Sequence, residues 1–302
     1  MAFNNSSLLA AATQDIIYGL RNERGAFADG VCTRLSRLAL TGSDFSIPTG
    51  QTLAQPSSAQ AIGADIKSRN LEGAPIAWSM KEIAALIRIP EATIVDLSQY
   101  MQPLSELAEA LMQDVDSGVD ALLATLLTNA TYNLSQAAAT GVWSLSTSTP
   151  TLDMQAAKNK TPGADMVILG QTSAQELARH PDTKEAMSNY SGTGAVTLSA
   201  MQAYVGGALD IDPARVFVFG KFYNSANPGQ TSATAYRAGD LCWIGHQKGL
   251  RLYEQGNPTN GTPSNGGIVT VVEDHNVLET AYRRTLDVVR GDKDLGVYLT
   301  GL

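Results

Sequence analysis

Apolar residues recur in distinct rhythms along this chain, and the clearest rhythm lies between Pro103 and Leu127. Leu104, Leu107, Ala108, Leu111, Val115, Val119, Leu122, Leu123 and Leu126 follow one another at steps of three and four, which places them on one side of a helix. Pro103 suits a first-turn position, where its missing N–H costs no hydrogen bond. About 25 residues at 1.5 Å each predict a rod of roughly 37 Å, interrupted only by Gly118. Immediately upstream, Ile76 to Pro90 reads as extended structure that Pro90 ends. Downstream, Ser135 to Pro162 is rich in Ser, Thr and Ala and reads as a crossover. An alternating pattern follows: a strand at Asp165 to Leu169, a helix at Ser173 to Ser188, a Gly-rich turn at Ser191 to Gly194, and a helix at Leu198 to Val205. Strands at Arg215 to Gly220 and Leu241 to His246 complete a mixed α/β unit. Gly256 to Gly267 reads as a surface loop, Ile268 to Val272 alternates as a strand, and Leu295 to Leu302 closes with an apolar tail. No internal repeat at a fixed period is visible.

The first 75 residues lack such rhythm. Gly, Ser, Thr, Asn and Gln are frequent, one short amphipathic helix is expected near Leu8 to Leu20, and Ser43 to Gly73 contains Pro48 and Pro56. A long, weakly patterned stretch of this kind is usually functional or ordered by a partner. A projecting arm and hairpin loop lying on neighbouring subunits fit it.

Charge sharpens the picture. The chain of 302 residues is 44% hydrophobic and only 17% charged, with a net charge of −8. Its polar surface is therefore largely Ser, Thr, Asn and Gln, a composition suited to packed interfaces. No Lys, Arg or His lies between Ile89 and Ala157, whereas Glu91, Asp96, Glu106, Glu109, Asp114, Asp116, Asp120 and Asp153 do, so one segment holds the whole imbalance. Glu106, Glu109, Asp114, Asp116 and Asp120 are expected on the helix face opposite the Leu/Val stripe. The ordinary reading is a solvated acidic face. The sharper reading is a spine that accepts a basic segment of a neighbour, with Arg21, Arg24, Arg34 and Arg37 as candidates; a wall that repels packaged nucleic acid explains the same charge. Binding to duplex nucleic acid needs clustered Lys and Arg, and no basic block exists. The start of the chain lacks a basic signal region, and no apolar run approaches the ~20 residues that cross a bilayer. A cytosol-like compartment is expected.

Candidate chemistry is sparse. Cys32 and Cys242 are far apart and embedded among apolar residues, so both are expected as reduced core residues. His180, His246 and His275 fit no metal spacing, and surface or loop positions are expected for all three. Gly220-Lys221 lacks the earlier Gly and following Ser or Thr of a phosphate loop, Gly192-Thr193-Gly194 lacks a third glycine, and Ser264 is misplaced for a nucleophile elbow. Glu106, Glu109 and Asp120 lie at helical spacing, which any charged helix face shows. No catalytic, cofactor or metal residue is assigned.

Three blocks together resemble the major capsid proteins of tailed bacteriophages of the Hong Kong 97 type. They are Ala77 to Asp96 running into the 103–127 helix, Asp165 to Gly170 through Arg215 to Gly220 with Tyr223-Asn224, and Val271 to Val289. The resemblance covers about two thirds of the chain and rests on the order and spacing of loose motifs. It implies an α+β capsid fold: an N-terminal arm over 1–40, an extended loop over 41–76, a peripheral subdomain over 77–158 and 268–302 with its spine helix, and an axial subdomain over 159–267. It implies self-assembly as hexamers and pentamers into an icosahedral or prolate shell around a genome, in the virion, after synthesis in the host cytoplasm. Portal and possible decoration proteins are implied partners. With no charged helical assembly domain at the start, a separate scaffolding protein is expected if Met1 begins the gene product. The relatives' crosslinking Lys and Asn pair has no identified counterpart here. An encapsulin-type nanocompartment shell keeps the fold and changes the biology, and a soluble α/β enzyme is the remaining alternative.

Overall fold

A computed structural model describes residues 26–37, 44–47, 76–90, 101–138, 141–191, 196–224, 234–255, 268–274, 277–290 and 295–302. The expected helix at Leu8 to Leu20, most of the 41–76 stretch, and the 256–267 loop lie outside these residues.

The spine helix, α2, runs from Met101 to Thr128, about 42 Å at 1.5 Å per residue. Ala108, Leu111, Met112, Val115, Val119, Leu123, Leu126 and Leu127 are buried along it. Gly118 sits where a side chain would strike β4 (Lys81–Pro90): an added Cβ would lie 2.7 Å from Ile83 Cγ2. The interruption seen in the sequence is thus a close-approach point between helix and strand. At the far end, the Asn133 amide donates to the Leu126 and Asn129 carbonyls at 2.6 and 3.1 Å, satisfying acceptors that a helix terminus leaves orphaned.

Beneath the spine lies a five-stranded sheet. Its centre is β13 (Val277–Arg290), which pairs antiparallel with β4, β11 (Leu250–Gln255) and β12 (Ile268–Asp274). β1 (Thr33–Arg37) pairs parallel with β11, placing Thr33 beside Arg251. Just before β1, the short helix α1 (Phe27–Val31) packs against the spine. Ala28 is 0% and Val31 1% exposed, and the Phe27 ring stacks on Phe219 at 4.5 Å between centroids. Within the span expected as an arm over 1–40, Ala26, Ala28, Val31 and Cys32 are thus buried among the residues that pack between spine and sheets. β2 (Asp44–Ile47) and β3 (Ile76–Ser79) pair antiparallel, with Ile47 opposite Ile76.

The second five-stranded sheet has the order β5-β14-β10-β6-β7, from Leu134–Ala137, Gly296–Thr300, Cys242–Gly245, Met166–Gly170 and Val216–Phe219. Every residue of β6 is buried, because both faces of the sheet are covered. Met166, Ile168, Phe219 and Trp243 join the cluster under the spine. Val167, Leu169, Val216, Cys242 and Ile244 join a second cluster with the helices α3 (Pro150–Lys160), α4 (Gln171–Arg179), α5 (Pro181–Ser191) and α6 (Leu198–Leu209). A small hairpin, β8 (Phe222–Asn224) with β9 (Thr234–Tyr236), follows β7.

Several sequence expectations shift. The single helix over 173–188 is two, because Pro181 disfavours helical geometry in His180 (ψ 133°) and supplies no N–H to continue the ladder. The crossover at 135–162 holds β5 and α3. Leu250–Gln255, expected with the axial unit, is a strand of the sheet under the spine. Gly296–Thr300, expected with the peripheral unit, is an inner strand of the other sheet. Both placements are read from hydrogen-bond registers that chain order alone does not reveal.

Candidate functional site: the spine and its buried ion cluster

The five spine acids do not share a face. Glu106 and Asp114 are exposed, and Glu109 is half-buried and accepts from the Gln113 amide at 3.2 Å. Asp116 and Asp120 instead point inward, at 5% and 1% exposure. Four residues beyond Met112 and three before Val119, Asp116 falls on the buried stripe; Asp120 follows one turn later. The expectation that all five lie opposite the Leu/Val stripe is therefore corrected.

What Asp116 meets is Arg284, which stands on β13 at 0% exposure. Its guanidinium donates to Asp116 Oδ1, to Asp29 Oδ1 of α1 and to Glu254 Oε1 of β11, each at 3.0 Å. Further contacts reach Asp29 Oδ2 at 3.3 Å and Glu254 Oε2 at 3.4 Å. The fork geometry of arginine suits such multiple recognition, and a lysine point charge cannot reproduce it. Burial opposes the charge on Arg284, but Glu254 and Asp29 outweigh that effect and hold the proton above its ordinary range. One side chain thus ties the spine, two strands and the segment after residue 25.

Asp120 lies one turn along and accepts the backbone N–H of Ala28 at 3.0 Å. Burial pushes its carboxyl up to about 6, against the amides of Ala28 and Phe27 and the nearby Lys221, which favour the ionised form; Asp116 adds to the rise. The spine does receive the N-terminal region, then, but Asp120 does so through an amide of its own chain and not through an arginine. Arg21 and Arg24 lie outside the described residues. Arg34 and Arg37 lie on β1, where their backbones pair with Leu252 and Gln255.

Cys32 and Cys242 are both free and buried, and burial raises each thiol, helped by Asp29 and Asp120 for Cys32 and by Asp153 for Cys242. His180 and His246 do stand at turns, His180 ending α4 and His246 following β10, but neither is at the surface. His180 is 3% exposed, with Nε2 3.2 Å from the Leu145 carbonyl, and His246 is 9% exposed, with Nε2 3.3 Å from the Pro162 carbonyl. Both pin loops to the second core, because the turns that carry them fold back onto the sheet. His275 lies outside the described residues. Among the described residues, no cluster of His, Cys, Asp and Glu could hold a metal ion, and no helix is long and apolar enough to cross a membrane.

No family model matches the sequence, and no curated protein matches it either. Solved structures do. A phage-related protein from Bordetella bronchiseptica RB50 is 12% identical, with 98% of this chain and 97% of that one aligned at a TM-score of 0.65. The bacteriophage PhiM1 mature capsid subunit is 10% identical over 92% and 88% of the two chains, TM-score 0.52. An encapsulin from Synechococcus elongatus PCC 7942 is 9% identical over 94% and 95%, TM-score 0.51. The architecture is shared with these structures. More narrowly, it is the α+β fold of phage capsid subunits, shared along nearly the full length of the chain.

Proposed function

We propose that this chain is the major capsid protein of a tailed bacteriophage, a non-enzymatic subunit that assembles into the head shell around the genome. The observation that carries the reading is the end-to-end likeness in fold to a phage-related protein and to a phage capsid subunit. Physical features support it. A buried arginine locking helix to sheet makes a stiff plate, and low surface charge suits repeated protein contacts. Heterologous contacts that close into rings, joined by arms across neighbours, generate finite shells.

In this reading residues 1–25 form the arm, and the excursion bracketed by β2 and β3 forms the extended loop. The exposed Glu106 and Asp114 and the half-buried Glu109 are the spine's contacts for a neighbour's basic residues, with Arg21, Arg24, Arg34 and Arg37 as candidates. Hexamers and pentamers form the shell, a separate scaffolding protein and a portal serve assembly, and the subunit is made in the host cytoplasm before it enters the virion. Neither nucleic-acid sequence readout nor a membrane has a part.

Electron microscopy of the purified full-length chain, alone and co-expressed with its neighbouring phage genes, tests the proposal. Closed shells alone or with a scaffold, and this chain as the main component of tailed heads, are expected. Monodisperse monomers under every condition overturn it. Shells loaded with a cargo enzyme, from a locus without portal or terminase, decide for the encapsulin reading, which shares the fold.

A further inference from the structure

The segment Ala26–Arg37 is wedged between three bodies. Phe27 stacks on Phe219 and meets Phe217 edge-on at 6.3 Å, both on β7 of the second sheet. Asp29 engages Arg284 of the first sheet, and β1 extends that sheet through β11. Ala28 sits on the spine with its amide directed to Asp120. The charged and titratable groups that act on Asp120 are Asp116 from the spine, Lys221 after β7 and Cys32 from the segment, and Asp116 in turn shares Arg284 of the first sheet with Asp29 and Glu254. Four carboxylates thus share two cations, and three of those carboxylates already converge on Arg284. Asp120, sealed from water at 1% exposure, is the one of the four that Arg284 does not bridge, so its ionisation places a further charge out of water.

We propose that Ala26–Arg37 is a proton-controlled latch between the two sheets, seated firmly when the Asp120 carboxyl is neutral and loosened when it ionises. The neutral carboxyl still offers a carbonyl oxygen to the Ala28 amide, so the seat survives protonation while the buried charge does not. The direction follows from linkage. The seated form binds its proton up to about 6, against the ordinary 3.8 that a solvent-exposed Asp120 regains when the segment lifts. Seating is therefore strongest below pH 4 and weakens as pH rises through 6. The gap amounts to about 100-fold in the seating equilibrium over the whole range, and about tenfold between pH 5 and pH 8. The inference concerns the fold itself and stands whether or not the chain forms shells.

The two cysteines report it without any added probe site. Cys32 belongs to the segment and is buried only while it is seated, whereas Cys242 lies in the second core. The full-length chain is treated with 4,4′-dithiodipyridine at pH 5 to 8, the adduct on each cysteine is measured by peptide mass spectrometry, and rates are divided by those of the urea-unfolded chain at the same pH. Opening at Cys32 is expected to rise about tenfold from pH 5 to 8 while Cys242 stays flat. Asp120→Asn, which keeps the acceptor and removes the charge, should keep Cys32 protected across the range. Asp120→Ala, which removes both, should leave Cys32 reactive at pH 5 as well as pH 8. Equal slopes in the native and Asn chains, parallel opening at both cysteines, or full protection in the Ala chain each overturn the latch. Should the Asn chain not fold, the native profile decides alone: a flat Cys32 response overturns the proposal.

Discussion

Replacing Arg284 with Met keeps most of the side chain's length and removes the cation at the junction of spine, sheet and N-terminal segment. The side chain is fully buried, and three carboxylates on three different elements meet it at 3.0 Å. Deleting one partner of a buried pair costs about 3–5 kcal/mol, because the remaining charge stays desolvated and uncompensated. Here one deletion strands three partners, although Asp29, at 12% side-chain exposure, can regain some water. A loss near 5 kcal/mol is therefore expected at pH 8, which at about 2 °C per kcal/mol for a chain of this length lowers Tm by roughly 10 °C. The loss should shrink at pH 5, since protons relieve uncompensated carboxylate charge on folding. Arg284→Lys should recover only a minor part, as one ammonium cannot span three acids in a plane. Thermal and urea unfolding of the dissociated subunit at both pH values measures this. A loss below about 1 kcal/mol at pH 8, or a loss that grows on acidification, refutes the assignment of the cluster as the structural lock.

Truncation separates arm from core: removing residues 1–25 should leave a cooperatively folded subunit by calorimetry, whereas removing 1–37 deletes buried Ala28 and Val31 and should abolish that transition. At the start of α4, a Cβ on Gly170 would lie 2.0 Å from the Ala238 carbonyl oxygen and 2.3 Å from that of Gly239, so Gly170→Ala should cost on the order of 3 kcal/mol or prevent soluble expression. Reversing Glu106 and Glu109 to Lys should leave Tm within about 1 kcal/mol equivalent and lower shell yield by electron microscopy; unchanged yield removes the spine's acidic face from the assembly contacts.

How far the sequence reveals this structure depends on which side chains obey their own kind. The spine is legible from Pro103 onward because Leu and Val mark its inner stripe without ambiguity. Asp116 and Asp120 hide in plain view on that stripe, since charge suggests solvent while their spacing from Met112, Val119 and Leu123 says core. The same conflict conceals β13. Thr280, Tyr282, Arg284, Leu286, Val288 and Arg290 are all buried at period two, yet two arginines and a threonine break the apolar pattern. An arginine in phase with Tyr282, Leu286 and Val288 is the signal that could have found the cluster. Residues 26–37 are missed for another reason: small residues such as Ala26 and Ala28 fill a tight space well but carry little hydrophobic periodicity. The helix break at His180-Pro181 was available from proline chemistry alone.

The two sheets close late in the life of the chain. Thr33 waits for Arg251 and Lys81 for Leu286, while β14, at the extreme end, fills the slot between β5 and β10. At about 5–20 residues per second, a ribosome leaves β1 and β4 unpaired until β11 and β13 emerge, and β5 unpaired until β14 does. Folding is consequently rich in long-range closure, which slows it. Prematurely ended chains lack an inner strand and cannot mimic the finished subunit, so incomplete products are excluded from whatever the complete one builds.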